Sequence, residues 1–184
     1  LLTGTNQKVG NWPGVTIERK EGKIKGTNLT LVDLPGVYSL SPYTAEEEIS
    51  RKYVLNEKPD VIINIVDATC IERSLYLTTQ LLELGIPVVV ALNKSDINEK
   101  KETKIDEKTL SEKLGCPVVK TVSKSGNGLK DVVEAAISLV GKNQTAPYSQ
   151  GEIDLTDKAV VEAADRKRFE FVNKTVADVE SRKI

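Results

Sequence analysis

The chain has 184 residues, with 26 Lys and Arg against 27 Asp and Glu and a formal net charge of −1. That balance argues against a protein that wraps nucleic acid or coats an anionic membrane. With no histidine in the sequence, no Ser-His-Asp triad, histidine base or histidine metal site can form.

Apolar residues make up 39% of the chain and aromatics only 4%. The core is therefore expected to be Val, Ile and Leu, as in a parallel sheet buried on both faces. Cys70 and Cys116 are too far apart in sequence for a Cys-x-x-Cys site, which fits a reducing compartment. Both are expected as buried small hydrophobes. No apolar run approaches the ~20 residues of a membrane span. The chain lacks methionine and starts Leu1-Leu2-Thr3-Gly4, so a fragment of a longer protein is expected.

In chain order, residues 14–25 (GVTIERKEGKIK) alternate, and 28–33 (NLTLVD) follow after Gly26. This predicts two antiparallel strands. A helical pattern spans 45–56. Short β-branched runs at 61–67 (VIINIVD), 87–93 (PVVVALN) and 117–122 (PVVKTV) predict buried strands. Helical patterns at 71–84, 107–114 and 129–140 lie between and after them. Gly85, Gly115 and Gly141 sit where helix C-caps would stop the chain. Strand, helix, strand, helix predicts an α/β fold with right-handed crossovers and a mostly parallel sheet flanked by helices.

Residues 142–155 contain the run KNQTAPYSQGE, with no apolar period, and read as a linker between a main domain at 1–141 and a short C-terminal helical extension at 156–184. Thr156 is the expected N-cap of that last helix, which would run to about Lys183. Phe169, Val172, Val176 and Val179 would form its apolar stripe.

In such a sheet, ligands bind beyond the carboxyl ends of the strands. Asn93-Lys94-Ser95-Asp96 follows a predicted strand directly. N-K-x-D arises by chance roughly 0.02 times in a chain of this length. Guanine presents N1–H and N2–H₂ on one edge, and one carboxylate accepts both. Adenine presents an acceptor there and would leave the carboxylate unpaired. Asp96 is the expected base reader. Asn93 would tie neighbouring loops together, and the Lys94 stem would lie over the ring.

Asp33-Leu34-Pro35-Gly36 also ends a predicted strand. D-x-x-G is common by chance, roughly 0.6 times per such chain; its place relative to Asn93 gives it weight. Asp33 would hold a water of Mg²⁺, and Gly36, lacking Cβ, would let its N–H approach a γ-phosphate. Thr16, at the start of the 14–25 run, could ligate Mg²⁺ and sense the γ-phosphate as a switch. Ser123-Lys124 would offer backbone groups to the base.

These residues resemble a family. Residues 9–18 (VGNWPGVTIE), 32–40 (VDLPGVYSL), 66–85 (VDATCIERSLYLTTQLLELG) and 91–96 (ALNKSD) are similar to the cytoplasmic G domain of FeoB, the bacterial ferrous-iron transport protein. The likeness covers about residues 1–140, and 168–172 (RFEFV) resembles the segment leading on towards the membrane.

The resemblance implies a P-loop-NTPase-like (Ras-like) fold that binds GTP and GDP with Mg²⁺ and hydrolyses GTP slowly. It implies coupling of nucleotide state to Fe²⁺ uptake by a transmembrane permease domain of the same polypeptide, at the cytoplasmic face of the bacterial inner membrane. By motif match, Gly14, Val15, Thr16, Ile17 and Glu18 are the first switch. Asp33, Leu34, Pro35 and Gly36 sense phosphate, and Asn93, Lys94, Ser95 and Asp96 read guanine. Val122, Ser123 and Lys124 are the fifth motif, in which Lys124 replaces the usual Ala. Thr16, Asp33 and Gly36 are the expected catalytic set, with Thr16 and Asp33 on Mg²⁺.

Such GTPases open with a strand and a G-x-x-x-x-G-K-[ST] loop. This sequence has no such run; about 20 residues are expected to be missing, and the 184 residues alone are expected to be inactive. Val37 stands where many GTPases place a water-orienting Gln, so water would be positioned by backbone, a monovalent cation or a partner. No iron site is expected here, because thiolates are isolated and imidazole is lacking. Glu46, Glu47 and Glu48 read as a solvated helix start. Nucleic acid is not an expected partner; self-association is left open. Two alternatives remain at this point: a soluble ribosome-assembly-type GTPase, and an interaction module that binds no nucleotide.

Overall fold

Short polar runs with little apolar content set the first part of the chain, and long β-branched runs set the rest. The computed structural model describes residues 8–12, 18–24, 29–35, 37, 44–93, 103–122, 128–141, 144 and 156–182. Two units separate, Leu1–Lys58 and Pro59–Ile184.

The first unit holds an antiparallel sheet of β1 (Lys8–Asn11), β2 (Glu18–Lys23) and β3 (Thr30–Asp33), in that order. Arg19 pairs with Gly10, and Lys20 with Asp33. The β2–β3 pair is the one expected from alternation. β1 was not, because KVGN has one large apolar residue in four. Helix α1 (Ala45–Glu57) begins at Thr44, whose hydroxyl accepts from the Glu47 N–H at 3.1 Å. Glu46, Glu47 and Glu48 fill its first turn, where the helix dipole favours negative charge. Glu48 pairs with exposed Lys52. α1 turns Val54 and Ser50 inward. Tyr53 meets buried Trp12 edge-on at 5.7 Å, and the Arg19 guanidinium lies 4.9 Å from the Trp12 ring centroid.

The second unit contains β4 (Ile62–Asp67), a 3-10 turn (Ala68–Cys70), α2 (Ile71–Glu83), β5 (Val88–Asn93), β6 (Thr103–Ile105), α3 (Glu107–Leu114), β7 (Val118–Lys120), α4 (Leu129–Leu139), α5 (Lys158–Val179) and β8 (Glu180–Arg182). β4, β5 and β7 form a parallel sheet with β5 in the middle. Every residue from Val88 to Leu92 is buried, as a strand covered on both faces requires. Each buried Val or Leu side chain among them contributes about 1.5–3 kcal/mol.

Successive strand residues face opposite ways, and β4 shows which helix covers which face. Ile63 packs with Val89, Ala91, Val132 and Ala136 on the α4 side. Its neighbour Asn64, buried, accepts from the Thr78 hydroxyl of α2 at 2.5 Å. α2 and α4 therefore flank the sheet. Gly85, Gly115 and Gly141 follow α2, α3 and α4 with φ of 78°, 73° and 78°, the left-handed stops expected.

The last helix starts one residue later than the sequence suggested. Asp157, not Thr156, caps it, its carboxylate accepting from the Ala159 and Val160 N–H groups at 3.0 and 3.4 Å. Its carboxylate offers the orphan donors of the first turn a charged acceptor. The helix stops at Val179, where the chain becomes extended instead of continuing to Lys183. β8 pairs antiparallel with β6, and the Asp106 N–H donates to the Val179 carbonyl at 2.8 Å. Val172, Val176 and Val179 are buried as the stripe predicts, while Phe169 is half exposed and stacks on Tyr76 at 4.9 Å. α5 packs on α2 and α3. Within the expected linker, the Gln144 carboxamide both accepts from the Val88 N–H (2.8 Å) and donates to its carbonyl (3.1 Å).

The cysteines differ. Cys116 is buried, as expected, and burial pushes its thiol up to about 12. Cys70 is exposed, because it ends the 3-10 turn at the strand end and does not enter the helix core.

Candidate functional site

The carboxyl ends of β4, β5 and β7 converge by register. Asp67 lies opposite Asn93 in the β4–β5 pair. One residue past β7, buried Thr121 donates its N–H to the Leu92 carbonyl at 2.9 Å and its hydroxyl to Asn93 Oδ1 at 3.3 Å. Asn93 thus ties two neighbouring strand ends together. Val122 follows, half buried. Lys94, Ser95, Asp96, Ser123 and Lys124 lie outside the described residues.

Asp67 is occupied locally. Its Oδ1 accepts from the Thr69 N–H at 2.9 Å and the Thr69 hydroxyl at 2.5 Å, and its own N–H donates to the Ser74 hydroxyl at 3.2 Å. These bonds close the turn into α2.

In the first unit, β3 ends at Asp33, which is exposed. Leu34, Pro35 and Val37 are half buried. The Pro35 carbonyl accepts from the buried Ser50 hydroxyl of α1 at 3.4 Å. Glu18 opens β2 opposite Asn11. Gly14, Val15, Thr16, Ile17 and Gly36 lie outside the described residues.

An exposed carboxylate at a strand end suits Mg²⁺, which takes one or two carboxylates and fills its remaining positions with phosphate oxygens and water. Asp33 fits that part. Among the described residues, no group of three Cys, Asp or Glu side chains is clustered to hold a metal ion on its own.

Sequence reasoning missed Thr121, Ser50 and Gly128. Thr121 and Ser50 are ordinary residue types outside the motifs, and only the packing shows what their hydroxyls hold. Gly128 follows a strand and precedes a helix, a signal that could have marked a close approach.

The model of the family described as ferrous iron transport protein B matches residues 1–136. The chain belongs to that family. Over 135 residues it is 54% identical to the Fe(2+) transporter FeoB of Salmonella typhimurium, covering 70% of this chain and 18% of the relative. It is 53% identical to the Fe(2+) transporter FeoB of Escherichia coli K12 over the same length. The chain spans about a fifth of these curated relatives' length, in the amino-terminal part of the family.

Solved structures extend the likeness. An NFeoB mutant of S. thermophilus bound to GDP superposes with a TM-score of 0.82 at 33% identity, over 98% of this chain and 93% of that one. The cytosolic domain of T. maritima FeoB in its GMPPNP form gives 0.85 at 30% identity, over 98% and 92%. The fold is therefore the α/β, Ras-like fold of the FeoB G domain, a P-loop NTPase class. Among the described residues, no helix is long and apolar enough to cross a membrane.

Proposed function

We propose that this FeoB chain is the GTP-binding part of a ferrous-iron transporter, and that the complete protein hydrolyses GTP slowly and switches with nucleotide state. The observation that carries the reading is Asn93: it opens an N-K-x-D run at the carboxyl end of a central parallel strand and is held there by Thr121. The GDP and GMPPNP forms of its structural relatives support it.

Asp96 accepts from the guanine edge, Lys94 covers the ring, and Asn93 and Ser95 shape the loop. Val122, Ser123 and Lys124 offer backbone groups to the base. On the phosphate side, Thr16 and Asp33 would hold Mg²⁺, and the Gly36 N–H would meet the γ-phosphate. Gly14, Val15, Ile17 and Glu18 carry Thr16 in the first switch, while Leu34 and Pro35 carry Gly36. Mg²⁺, when bound, neutralises charge on the phosphate oxygens.

Val37 has no side-chain hydrogen bond to give an attacking water. Orientation falls to backbone groups, to a monovalent cation or to a partner, and hydrolysis is slow for that reason. The sequence has no G-x-x-x-x-G-K-[ST] run, so catalysis is assigned to the complete protein. Residues 1–141 form the G domain, 142–155 a linker and 156–184 its helical extension. Fe²⁺ is cargo for a transmembrane permease domain of the same polypeptide, and this domain works at the cytoplasmic face of the bacterial inner membrane.

Titration calorimetry with Mg²⁺ tests this, on the 184-residue chain and on the same chain carrying a family-type phosphate loop at its amino end. Binding of GTP and GDP but not ATP by the loop-bearing chain supports the reading. Binding of no nucleotide by either overturns it in favour of an interaction module.

A further inference from the structure

Four glycines among the described residues have φ between 73° and 80°: Gly85, Gly115, Gly128 and Gly141. Gly85 and Gly141 have open space where a Cβ would stand, so their requirement is conformational only. Gly128 is different. A Cβ there would lie 2.2 Å from the Lys120 carbonyl oxygen and 3.2 Å from the Thr121 Cα. Both are backbone atoms, which cannot swing aside as a side-chain end can. The first turn of α4 therefore rests directly on the end of β7, and only glycine permits that approach.

What it rests on leads to the base-reading strand. Thr121 is held to β5 by two bonds, its N–H to the Leu92 carbonyl at 2.9 Å and its hydroxyl to Asn93 Oδ1 at 3.3 Å. Hydroxyl hydrogen bonds are usually about 2.7–2.8 Å. The second bond is the longer and more compliant link, and a push on Thr121 is taken up there first. Donation into Oδ1 also fixes which end of the Asn93 carboxamide faces β7 and leaves its amide hydrogens at the opposite end.

We propose that Gly128 and Thr121 are positioning residues for guanine-nucleotide retention: Gly128 sets the seat of α4 on β7, and Thr121 transmits it to the Asn93 carboxamide. This rests on the guanine reading of Asn93. Neither residue needs to touch nucleotide.

Two readouts test it. One is the side-chain amide signal of Asn93 by ¹⁵N NMR, recorded without nucleotide on the 184-residue chain. The other is the release rate of a fluorescent GDP from the complete protein. Gly128→Ala and Thr121→Val are each expected to move the amide signal and to speed release about tenfold, the scale of one lost hydrogen bond. Thr121→Ser, which keeps the hydroxyl, should restore both. Gly85→Ala, with a similar φ and no close approach, should change neither. If Gly128→Ala fails to fold, the Thr121 pair decides alone. An amide signal and a release rate unmoved by Thr121→Val overturn the proposal, and so does a Thr121→Ser that behaves as Thr121→Val. A moved amide signal in a complete protein that binds no guanine nucleotide overturns the guanine reading instead, and leaves the positioning of Asn93 standing.

Discussion

Arg168 of α5 grips Glu83 of α2 at two points, Nε to Oε2 at 2.8 Å and Nη2 to Oε1 at 3.0 Å. Its third nitrogen, Nη1, donates to Asp165 Oδ1 at 2.8 Å, which also accepts from the Tyr76 hydroxyl at 2.5 Å. Arg168 and Glu83 side chains are only 10% and 11% exposed, so this pair is screened far less than a surface ion pair. Burial alone would lower the Arg168 pKa, but the Glu83 carboxylate outweighs it and the net direction is up. The terminal helix is thus fixed to the sheet-flanking helix by charge as well as by the valine stripe.

Arg168→Ala takes the buried guanidinium away from Glu83, and should cost about 3–5 kcal/mol. Arg168→Lys keeps the charge but not the two-point fork, and should fall between the two. Urea unfolding of the three proteins checks the order; an alanine variant as stable as the parent would show that the clamp contributes nothing.

A second buried polar pair lies under α2. Thr78, fully buried, donates to Asn64 of β4. Thr78→Val should cost about 1–3 kcal/mol by stranding the Asn64 carboxamide. Adding Asn64→Val should recover part of that loss, because both partners are then apolar. A double-mutant cycle reads the coupling directly; additive losses would contradict it.

Stability should also fall in alkali. Burial raises the Cys116 thiol from 9.0 to about 12, and burial followed by the Asp165 hydrogen bond raises the Tyr76 hydroxyl from 10.0 to about 12. Between these values the unfolded chain has lost protons that the folded chain still holds, so stability is intact below pH 9 and declines towards pH 12. Cys116→Ala and Tyr76→Phe should each flatten that decline in thermal melts across the range. At pH 8 a thiol reagent should modify exposed Cys70 quickly and Cys116 only on unfolding.

Much of this was legible in the sequence, and the failures have physical causes. β4, β5, α2, α3 and α4 were readable because β-branched runs and glycine stops agree with the packing. β6 and β8 are three-residue strands joined by long-range pairing, and no local period marks either. Arg168 sits in the run Asp165-Arg166-Lys167-Arg168; nothing in that run distinguishes the buried charge from its neighbours until α2 is in place. At the site, the motif named Asn93, but Thr121 and Gly128 act through packing, which residue type alone does not carry.

Val37 should make hydrolysis slow and indifferent to its own side chain. In single-turnover assays on the complete protein, Val37→Ala should leave the rate within about twofold, since no transition-state contact is removed. A fast unassisted rate that collapses in the variant would refute the account.

The most direct test of the central claim exchanges the base. Xanthine carries a carbonyl where guanine carries its N2 amine, so Asp96→Asn can donate where Asp96 accepts. Competition titration of GTP, ATP and XTP against the loop-bearing chain should give a parent selective for GTP. The Asp96→Asn variant should lose GTP by about 10³-fold or more and gain XTP. Equal GTP affinity in parent and variant would contradict the assignment of Asp96, and with it the reading of this chain as a guanine-nucleotide switch.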